Sequence, residues 1–495
     1  MLIVLLAGGL EELLGKISSF LWGWPLILLL LVAGLYFTLL TRFVQLRKFF
    51  YGWKVFLGHY DRELSEREGA GGVLSHFKAL STALSATIGT GNIVGVATAI
   101  ILGGIGAPVW MLVSGFLGMA TKFVTCTLSN RYREVDEEGN VYGGPMYVIV
   151  KALPKSWHWL AWLFAISLSI AAFGIGNLVQ ANAVSQRFTS LLIDRFQLVA
   201  EPGFLQAVIG FLLAALVFLV IIGGIRSIGT AAGILVPVMA LGYLAGGLVI
   251  LLFNLDKLGA ALGSMFAASV SLKAGFGGLM GTAVRYGFAR GLFSNEAGLG
   301  SAPIAHAAAR TREPVREGYV AMIGPFIDTI VICMMTATVI IVTMGDKLSS
   351  YGEGRAADLT AHAFELGLGA VFPPSAGAVF VSLALAIFAF TTILGWSYYG
   401  EQGIAFLLGK GAILPYRLVW VAVVFVGSVS QLSLVWTLSD IFNALMAIPN
   451  LLAAFALAHL VARWERDYSR GKRMNITEEQ LRRESVRLRP QPEGS

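Results

Sequence analysis

The feature that most constrains this chain is a succession of long apolar runs, each close to the roughly 20 residues that an α-helix needs to cross a lipid bilayer. Only 13% of the 495 residues are charged, about half the share that is usual in a soluble globular protein. We therefore predict an all-α integral membrane protein with eleven transmembrane helices. The predicted spans are 18–42, 76–102, 107–129, 157–188, 204–222, 229–253, 277–308, 317–345, 374–409, 416–433 and 435–462.

Lysine and arginine residues are divided unequally between the two sides that these spans define. With the N-terminus placed outside, 27 of the 36 basic residues fall in inner loops, 7 in outer loops and 2 within the seventh span. Basic residues favour cytoplasmic loops, so we expect a multi-pass protein of the cell membrane with a cytoplasmic C-terminus. The net charge of +7 is therefore explained by the basic residues of these loops. It does not indicate a nucleic-acid partner, and the sequence contains no nucleic-acid-binding motif.

The starts of the spans suggest an internal repeat. Spans two to six and seven to eleven begin at nearly constant offsets, although unrelated helices could also be spaced in this way. An odd number of spans in each repeat makes the second repeat inverted relative to the first. The predicted organisation is an extra N-terminal transmembrane helix (1–42), a cytoplasmic interfacial segment (43–75), a first five-helix repeat (76–253), a second, inverted five-helix repeat (277–462) and a charged cytoplasmic tail (463–495).

Two smaller patterns lie outside the spans. Residues 356–367 form a short helical pattern in an outer loop, which is either a gate over the outer mouth or simply a solvated loop. In the tail, residues 477–480 read Thr-Glu-Glu-Gln, a capping box that predicts the start of a short charged helix.

The second and seventh spans carry glycine and polar residues where an ordinary membrane helix would carry leucine. The second span contains the sequence Gly-Thr-Gly-Asn at 89–92, and the seventh contains a glycine-rich polar stretch at 290–300. Broken backbone at membrane depth is tolerated where it lines a cavity, because its free N–H and C=O groups need partners. Two interrupted helices at corresponding positions of two repeats indicate the substrate site of a transporter.

Several motifs resemble those of the bacterial and archaeal alanine or glycine:cation symporters, which belong to the amino acid–polyamine–organocation superfamily. The resemblance covers roughly residues 15–465 and is carried by the segments 85–106, 118–122, 142–147, 291–302 and 391–401. It implies the leucine-transporter fold, with one extra helix before a five-plus-five core. It also implies sodium- or proton-coupled uptake of alanine or glycine.

The first break is expected to bind the carboxylate of an amino acid. A half-helix N-terminus presents unpaired N–H groups and the positive end of the helix dipole, and glycine lets a ligand approach the backbone closely. Thr90, Gly91 and Asn92 are predicted to face the carboxylate, and Gly89 is predicted to belong to the substrate site as a position where the ligand approaches the backbone.

The facing break is expected to bind the ammonium group through backbone oxygens and side chains near Phe293, Ser294 and Asn295. Gln180 on the fourth span is a further candidate, which either closes the site over the substrate or makes an interhelical hydrogen bond. Three bulky residues are expected to limit the pocket to small side chains: Phe293, Trp396 and Ile93.

The resemblance also implies a sodium site. In the leucine-transporter fold one sodium ion lies between the broken first core helix and the eighth core helix, held by carbonyls and two adjacent hydroxyls. Here the corresponding groups are the carbonyls of Ser85 and Ile88 and the side chains of Thr391 and Thr392. Oxygen ligands suit a hard cation, whereas hydrogen bonding of both threonines to the preceding helical turn is the alternative interpretation.

Proton coupling is the competing mechanism. Some carriers of this fold replace the sodium ion with a lysine on the fifth core helix, but the sixth span, 229–253, contains no lysine and no ionisable residue other than Tyr243. Sodium is therefore favoured as the coupling ion, and no other cofactor is expected.

Acidic residues in or near the spans are functional candidates because a buried charge in a membrane is costly. These residues are Glu296, Asp328 and Glu401. Asp328 is expected to assist a second cation or to carry a proton. Glu296 is expected either to take part in coupling or to form a structural pair with Arg285 or Arg290.

Other classes of protein fit less well. The segment 89–95 superficially resembles a dinucleotide-binding loop, but no strand precedes it and no acidic residue follows about 20 residues later, so we expect a carrier and not an enzyme. A channel is the weaker alternative, since paired helix breaks favour alternating access. Cys126 and Cys333 lie in apolar runs and are predicted to be packing residues. We expect a monomer whose partners are the bilayer and a small amino acid.

Overall fold

The computed structural model describes residues 2–60, 71–270, 279–369, 371–373, 375–430 and 433–488. Nearly all regular structure in these ranges is helical, as predicted. Two short strands, β1 (Glu134–Val135) and β2 (Val141–Tyr142), pair as an antiparallel hairpin.

The helices that precede residue 271 are α1 (Leu2–Leu21), α2 (Trp24–Leu40), α3 (Val44–Arg47), α4 (Phe49–Phe56), α5 (His76–Thr87), α6 (Val96–Gly103), α7 (Ala107–Tyr132), α8 (Pro145–Ala152), α9 (His158–Ala171), α10 (Val179–Ser190), α11 (Pro202–Ile221), α12 (Gly224–Leu252) and α13 (Leu255–Ser269).

The helices that follow residue 278 are α14 (Leu279–Asn295), α15 (Ala302–Ala307), α16 (Pro314–Ala321), α17 (Ile323–Pro325), α18 (Met334–Met344), α19 (Ala356–Leu368), α20 (Ala376–Leu408), α21 (Ile413–Val429), α22 (Ser433–Ser469) and α23 (Glu478–Leu488). Four π-helical segments interrupt or extend the longer helices: Gly91–Gly95, Ala172–Leu178, Leu191–Arg195 and Phe326–Cys333.

Within the described ranges, nine helical stretches are long and apolar enough to cross a membrane, and a bent helix pair raises this number to as many as ten. The bent pair, His76–Thr87 and Gly91–Gly103, changes direction by 56° and corresponds to the second predicted span. The seventh predicted span, 277–308, is described from Leu279 onward as α14, a break and the short helix α15. The total of eleven spans and the repeat boundaries stay predictions.

Helix α7 lies at the centre of one group of packed helices and contacts α2, α14, α15 and α16. Glycines on the neighbouring helices allow the backbones to approach. A Cβ at Gly287 would lie 2.4 Å from the carbonyl oxygen of Ala107, and a Cβ at Gly318 would lie 2.0 Å from Thr127 Oγ1. Small residues at such contacts are typical of helices packed within a bilayer.

The C-terminal helix α23 defines one side of the molecule, which we call the tail side; the opposite side is the far side. On the tail side, Ile476 N–H donates to the carbonyl of Arg312 (3.1 Å), and Leu481 packs with Val135 and Val141 of the β-hairpin. The predicted capping box is confirmed: Gln480 N–H donates to Thr477 Oγ1 (3.2 Å), and Thr477 N–H donates to Gln480 Oε1 (3.0 Å).

Replacing Gly318 with alanine tests the close contact between α7 and α16. The new Cβ would also lie 3.0 Å from the backbone oxygen of Phe123, so we expect Gly318→Ala to lower the free energy of unfolding by about 1–3 kcal/mol through overpacking. Thermal unfolding of the purified protein measures this effect.

The control is Gly242→Ala on the exposed face of α12, where an added Cβ would meet no atom within 4 Å. Its melting temperature should be unchanged or slightly higher, because alanine favours helix. Equal melting temperatures for the two variants would contradict the packing described here.

Candidate substrate and ion site

The first helix break separates α5 from the half-helix that continues through the π-helical segment into α6. Gly89 N–H donates to the side chain of Asn92 (2.9 Å to Oδ1), which draws the chain away from the helical path. The carbonyls in the last turn of α5 lack the helical partners that would follow them, so they point into the break. A Cβ at Gly89 would lie 2.6 Å from Thr392 Oγ1, which explains why the position requires glycine.

The second break follows Asn295, where α14 ends. Three nearby residues have left-handed backbone conformations: Glu296, Gly298 and Gly300 have φ angles of 54°, 95° and 95°. Glycine adopts such angles easily, whereas a glutamate held there is strained and points to a functional constraint. Asn295 Oδ1 accepts the N–H of Ala297 (2.9 Å). Each break therefore has an asparagine side chain that binds a freed backbone N–H.

A buried carboxylate connects the two breaks. Asn92 Nδ2 donates to Asp328 Oδ1 (2.7 Å), and Ser294 Oγ donates to Asp328 Oδ2 (2.8 Å). Asn295 Nδ2 donates to Thr329 Oγ1 (3.1 Å), and the Thr329 hydroxyl donates to Asp328 Oδ2 (2.8 Å). These five residues, which we call the Asp328 cluster, are at most 2% exposed. A shift at one break must therefore affect the other.

A cavity of about 20 Å³ lies between the breaks, enough for about one water molecule. The break glycines and Glu296 line it, as does Trp396 from α20. Six of the eight predicted substrate residues line this cavity: Gly89, Thr90, Gly91, Gln180, Phe293 and Ser294.

The side chains of Asn92 and Asn295 instead point into the Asp328 cluster, where they support the breaks. Ile93 packs in the apolar core and is not among the described lining residues of the cavity, in contrast to Phe293 and Trp396.

Two amide side chains at the cavity wall have unused hydrogen-bonding capacity. Gln180 Nε2 lies 3.3 Å from Thr90 Oγ1 and 3.0 Å from the carbonyl oxygen of Ile175, to either of which it can donate. Gln180 Oε1 and Asn443 Oδ1 are buried and accept no hydrogen bond from the described residues. Asn443 was not predicted, although a polar side chain inside an apolar span is a recognisable signal.

A much larger cavity of about 590 Å³ lies on the far side, and Thr90, Gly91 and Phe293 line both this cavity and the central one. The helix predicted at 356–367 is present as α19 and borders this far-side cavity. Thr360 Oγ1 on α19 donates to the carbonyl of Ile93 (2.9 Å). The loop helix is therefore attached to the broken helix beside the opening.

The predicted sodium ligands lie where α5 meets α20. Thr392 Oγ1 is 3.4 Å from the carbonyl oxygen of Ile88, and Ser85 packs against α20. Both Thr391 and Thr392 hydroxyls also contact the carbonyl of Phe388 at 2.9 Å. Thr391 Oγ1 is directed toward a methionine sulfur of α12, at 3.4 Å. Thr392 is thus the hydroxyl that faces the break, and its lone pairs stay available to a cation.

Glu296 is held by Ser301, whose hydroxyl donates to Glu296 Oε2 (2.5 Å). Lys122 of α7 is also buried, at 1% exposed. Within the described ranges Glu296 forms no ion pair with Arg285 or Arg290, so the structural pair with these arginines is not present. Glu296 is also among the residues that line the central cavity.

The chain matches the family model described as the sodium:alanine symporter family over residues 7–482. The sodium/alanine symporter AgcS of Methanococcus maripaludis is 44% identical over 454 residues, which are 91% of this chain and 95% of that protein. Two relatives from Bacillus subtilis are each 35% identical. The putative sodium/proton-dependent alanine carrier protein YrbD is matched over 94% of both chains, and the probable sodium/glutamine symporter GlnT over 94% of this chain and 92% of that protein.

Among solved structures, the crystal structure of MhsT in complex with L-phenylalanine is similar in fold. The two superpose with a TM-score of 0.54 at 12% sequence identity, over 80% of this chain and 98% of that one. At this identity the likeness shows the fold, which is that of the leucine transporter.

Replacing Asn92 with leucine should disrupt both the first break and the Asp328 cluster. The change leaves Gly89 N–H and Asp328 Oδ1 without the partners that they have here. Each buried polar group left unpaired costs about 1–3 kcal/mol, so we expect Asn92→Leu to lower the free energy of unfolding by at least about 2 kcal/mol. Thermal unfolding in detergent measures the loss.

Val94→Leu is the matched control, because Val94 lies on the same turn and faces the far-side cavity. This variant should unfold near the temperature of the unmodified protein. If both variants unfold at that temperature, Asn92 does not support the break.

Proposed function

We propose that this chain, which belongs to the sodium:alanine symporter family, imports small neutral amino acids such as alanine and glycine together with sodium ions by alternating access. The observation that carries the proposal is the small cavity between two helix breaks, which adjoins a wide opening on one side. Such a site, reached from one side at a time, is what a carrier requires.

The amino acid is proposed to bind with its two charged groups at different parts of the cavity. The free N–H groups at the start of the half-helix, at Thr90 and Gly91, suit the carboxylate. The ammonium group suits the carboxylate of Glu296 and the amide oxygens of Gln180 and Asn443, which accept no hydrogen bond from the part of the chain that the structure describes. This arrangement satisfies polar groups that would otherwise stay unpaired in the membrane.

The size of the cavity supports a small substrate. About 20 Å³ leaves little space, and Phe293 and Trp396 occupy two of its walls. The side chain of alanine or glycine needs less rearrangement than that of glutamine, which the name of one relative mentions.

Sodium is proposed to bind between α5 and α20, held by Thr392 Oγ1 and by carbonyls at the end of α5, among them those of Ser85 and Ile88. Thr391, whose hydroxyl faces α12, would have to rotate to join the site. All of these proposed ligand atoms are oxygens, which suits a hard cation. The ion would supply a positive charge that stabilises the free carbonyls of the break.

Asp328 is proposed to be the second coupling group. Its carboxylate accepts hydrogen bonds from Asn92, Ser294 and Thr329, which stabilise a negative charge that could hold a second cation. The alternative is that Asp328 or Glu296 carries a proton, which would make the chain a proton-coupled carrier. The name of the relative YrbD includes both ions.

We place the protein in the cell membrane as a monomer, with the tail side in the cytoplasm and the N-terminus outside. The excess of basic residues in the loops of the tail side supports this orientation. The wide cavity then faces outward, and α19 lies over the outer mouth as a gate.

The purified protein in proteoliposomes should accumulate labelled L-alanine when an inward sodium gradient is imposed. Glycine should compete strongly and glutamine weakly, because the cavity is small. Uptake above the equilibrium level is the measurement, and collapse of the sodium gradient with an ionophore is the control.

Three other outcomes separate the alternatives. Equilibration without accumulation would indicate a channel and contradict the carrier mechanism. Accumulation driven by a proton gradient and not by sodium would indicate proton coupling, with Asp328 or Glu296 as the group to examine. An absence of alanine uptake under either gradient would contradict the proposed substrate.

Thr392→Val should weaken sodium binding while it preserves the fold, since valine has the shape of threonine without the hydroxyl. Loss of one ligand should raise the sodium concentration for half-maximal alanine uptake about tenfold, equivalent to about 1.4 kcal/mol. The control is Thr343→Val, where the hydroxyl bonds to its own helix, at the carbonyl of Val339 (2.8 Å). Equal sodium dependence in the two variants would remove Thr392 from the site.

A further inference from the structure

Two histidines and one glutamate meet inside the tail side of the protein. His306 Nδ1 lies 2.5 Å from Glu317 Oε1, and His76 Nδ1 contacts the other carboxylate oxygen, Oε2. A carboxylate accepts hydrogen bonds and cannot donate them, so each imidazole presents Nδ1–H to Glu317. All three side chains are at most 1% exposed.

Both imidazoles depend on this glutamate. The Nε2 atoms of His76 and His306 are buried and have no hydrogen-bond partner in the described part of the chain. The side-chain hydrogen bonds of both rings therefore go to Glu317. Hydrogen bonds to an ionised group are roughly twice as strong as those between neutral groups, so this contact holds its elements firmly.

The three residues lie on three different elements, two of which belong to the broken helices. His76 is the first residue of α5, at the tail-side end of the first broken helix. His306 lies in α15, which follows the second break, and Glu317 lies in α16. A short loop joins α15 to α16. His306 therefore orients the carboxylate, and the contact of His76 with Glu317 ties α5 to the second repeat.

Backbone hydrogen bonds next to this contact also join the segment before α5 to the loop after α15. Val73 N–H and Leu74 N–H both donate to the carbonyl of Ala308 (2.9 and 3.0 Å), and Arg310 N–H donates to the carbonyl of Leu74 (2.7 Å). Ala79 is buried in the apolar cluster that seals this joint. Opening a path from the central cavity to the tail side requires these segments to separate.

Arg133 reinforces the closure. Its guanidinium donates to the carbonyls of Gly71, Ala307, Ala309 and Thr311, which lie on both sides of the joint. Burial lowers the pKa of Arg133 to about 10, against the opposing charge of Glu317, so the group stays charged at neutral pH.

Other ionisable groups on the packed elements are directed elsewhere. Cys126 of α7 is a buried free thiol. On α16 itself, Arg316 donates to Tyr468 (3.0 Å), and on α22, Glu465 accepts a hydrogen bond from Tyr319 (3.3 Å). The histidines are thus the groups that satisfy Glu317 directly.

We propose that His76, Glu317 and His306 form a latch that holds the tail side closed while the central cavity is open to the far side. The inference rests on the proposed alternating-access function, since a latch matters only if the tail side opens in turn. His76 and Glu317 are the parts that separate, and His306 positions the carboxylate between them. Release of the latch lets α5 move away from α15 and α16.

The test uses a cysteine at Ala79 as a reporter of tail-side opening. The full-length protein carrying Ala79→Cys is reconstituted in lipid nanodiscs, and the rate of maleimide labelling is measured without alanine or sodium. The native cysteines are buried, and labelling of the parent protein gives the background. A second reporter, Ala183→Cys in the wall of the far-side cavity, follows the opposite opening.

Glu317→Ala and His76→Ala should each raise the labelling rate of the Ala79 reporter about tenfold, as expected when the minor open state gains population. The double variant should label no faster than either single variant, because both changes remove the same contact. His306→Ala should have a smaller effect. His76 lies at a helix end, so His76→Ala provides a variant that folds if Glu317→Ala does not.

The matched control is Glu465→Ala, which removes another buried carboxylate (2% exposed) from α22. This change removes the hydrogen bond from Tyr319 of α16 and leaves the contact of His76 with Glu317 intact. Its labelling rate should stay within about twofold of the parent. The latch is overturned if His76→Ala leaves the labelling rate of the Ala79 reporter unchanged, or if Glu465→Ala raises that rate as much as Glu317→Ala does. It is also overturned if the labelling rate of the Ala183 reporter rises in parallel, because that result would indicate general loosening of the protein.

The labelling needs neither substrate nor ion, so the two proposals can fail separately. Unchanged labelling in a protein that accumulates alanine would overturn the latch alone. Faster labelling in a protein that accumulates no amino acid would overturn the proposed function and leave the latch in place.

Discussion

The structure depends on how it satisfies backbone groups that are freed inside a membrane. Hydrocarbon offers no hydrogen bonds, so each broken helix needs partners for its N–H and C=O groups. An asparagine at each break binds one freed N–H, as Asn92 does for Gly89 and Asn295 does for Ala297. The Nδ2 atom of each asparagine donates a hydrogen bond, from Asn92 to Asp328 and from Asn295 to Thr329. The break residues Gly89, Gly91 and Ser294 line the central cavity.

This arrangement explains how ligands and helix positions can be coupled. The Asp328 cluster is rigid because its members satisfy one another, so a ligand that moves one break also moves the other. Thr392 Oγ1 lies close to the carbonyl of Ile88 at the first break. An ion bound between them would therefore contact the backbone of the same broken helix. On the tail side, the contact of His76 with Glu317 places a second constraint on the first broken helix. Binding in the cavity and closure of the tail side therefore act on one element.

Much of this structure could be predicted from the sequence. The apolar runs predicted the membrane-spanning helices, and the two glycine-rich stretches predicted the helix breaks, because membrane depth imposes length and hydrogen-bonding limits that are visible in the residues. The direction of individual side chains could not be predicted. Asn92 and Asn295 were expected to contact the substrate, whereas their side chains point into the Asp328 cluster. In irregular backbone, the direction of a side chain follows from φ and ψ and not from the helical period.

Polar contacts between residues far apart in the sequence could not be predicted either. His76 and Glu317 are 241 positions apart, and neither shows a local motif that would pair them. Asn443 lies in a long helix. Its polar side chain is visible in the sequence, but the neighbouring residues do not indicate that it lies near the helix breaks.

The most direct test of the proposed site is a cryo-electron microscopy structure of the protein with L-alanine and sodium. We expect density for one alanine between Gly91 and Ser294, with its carboxylate at the half-helix N-terminus and its ammonium group toward Glu296. An ion should lie between Ile88 and Thr392. Alanine bound only in the far-side cavity, with the space between the two breaks unchanged, would contradict the proposal.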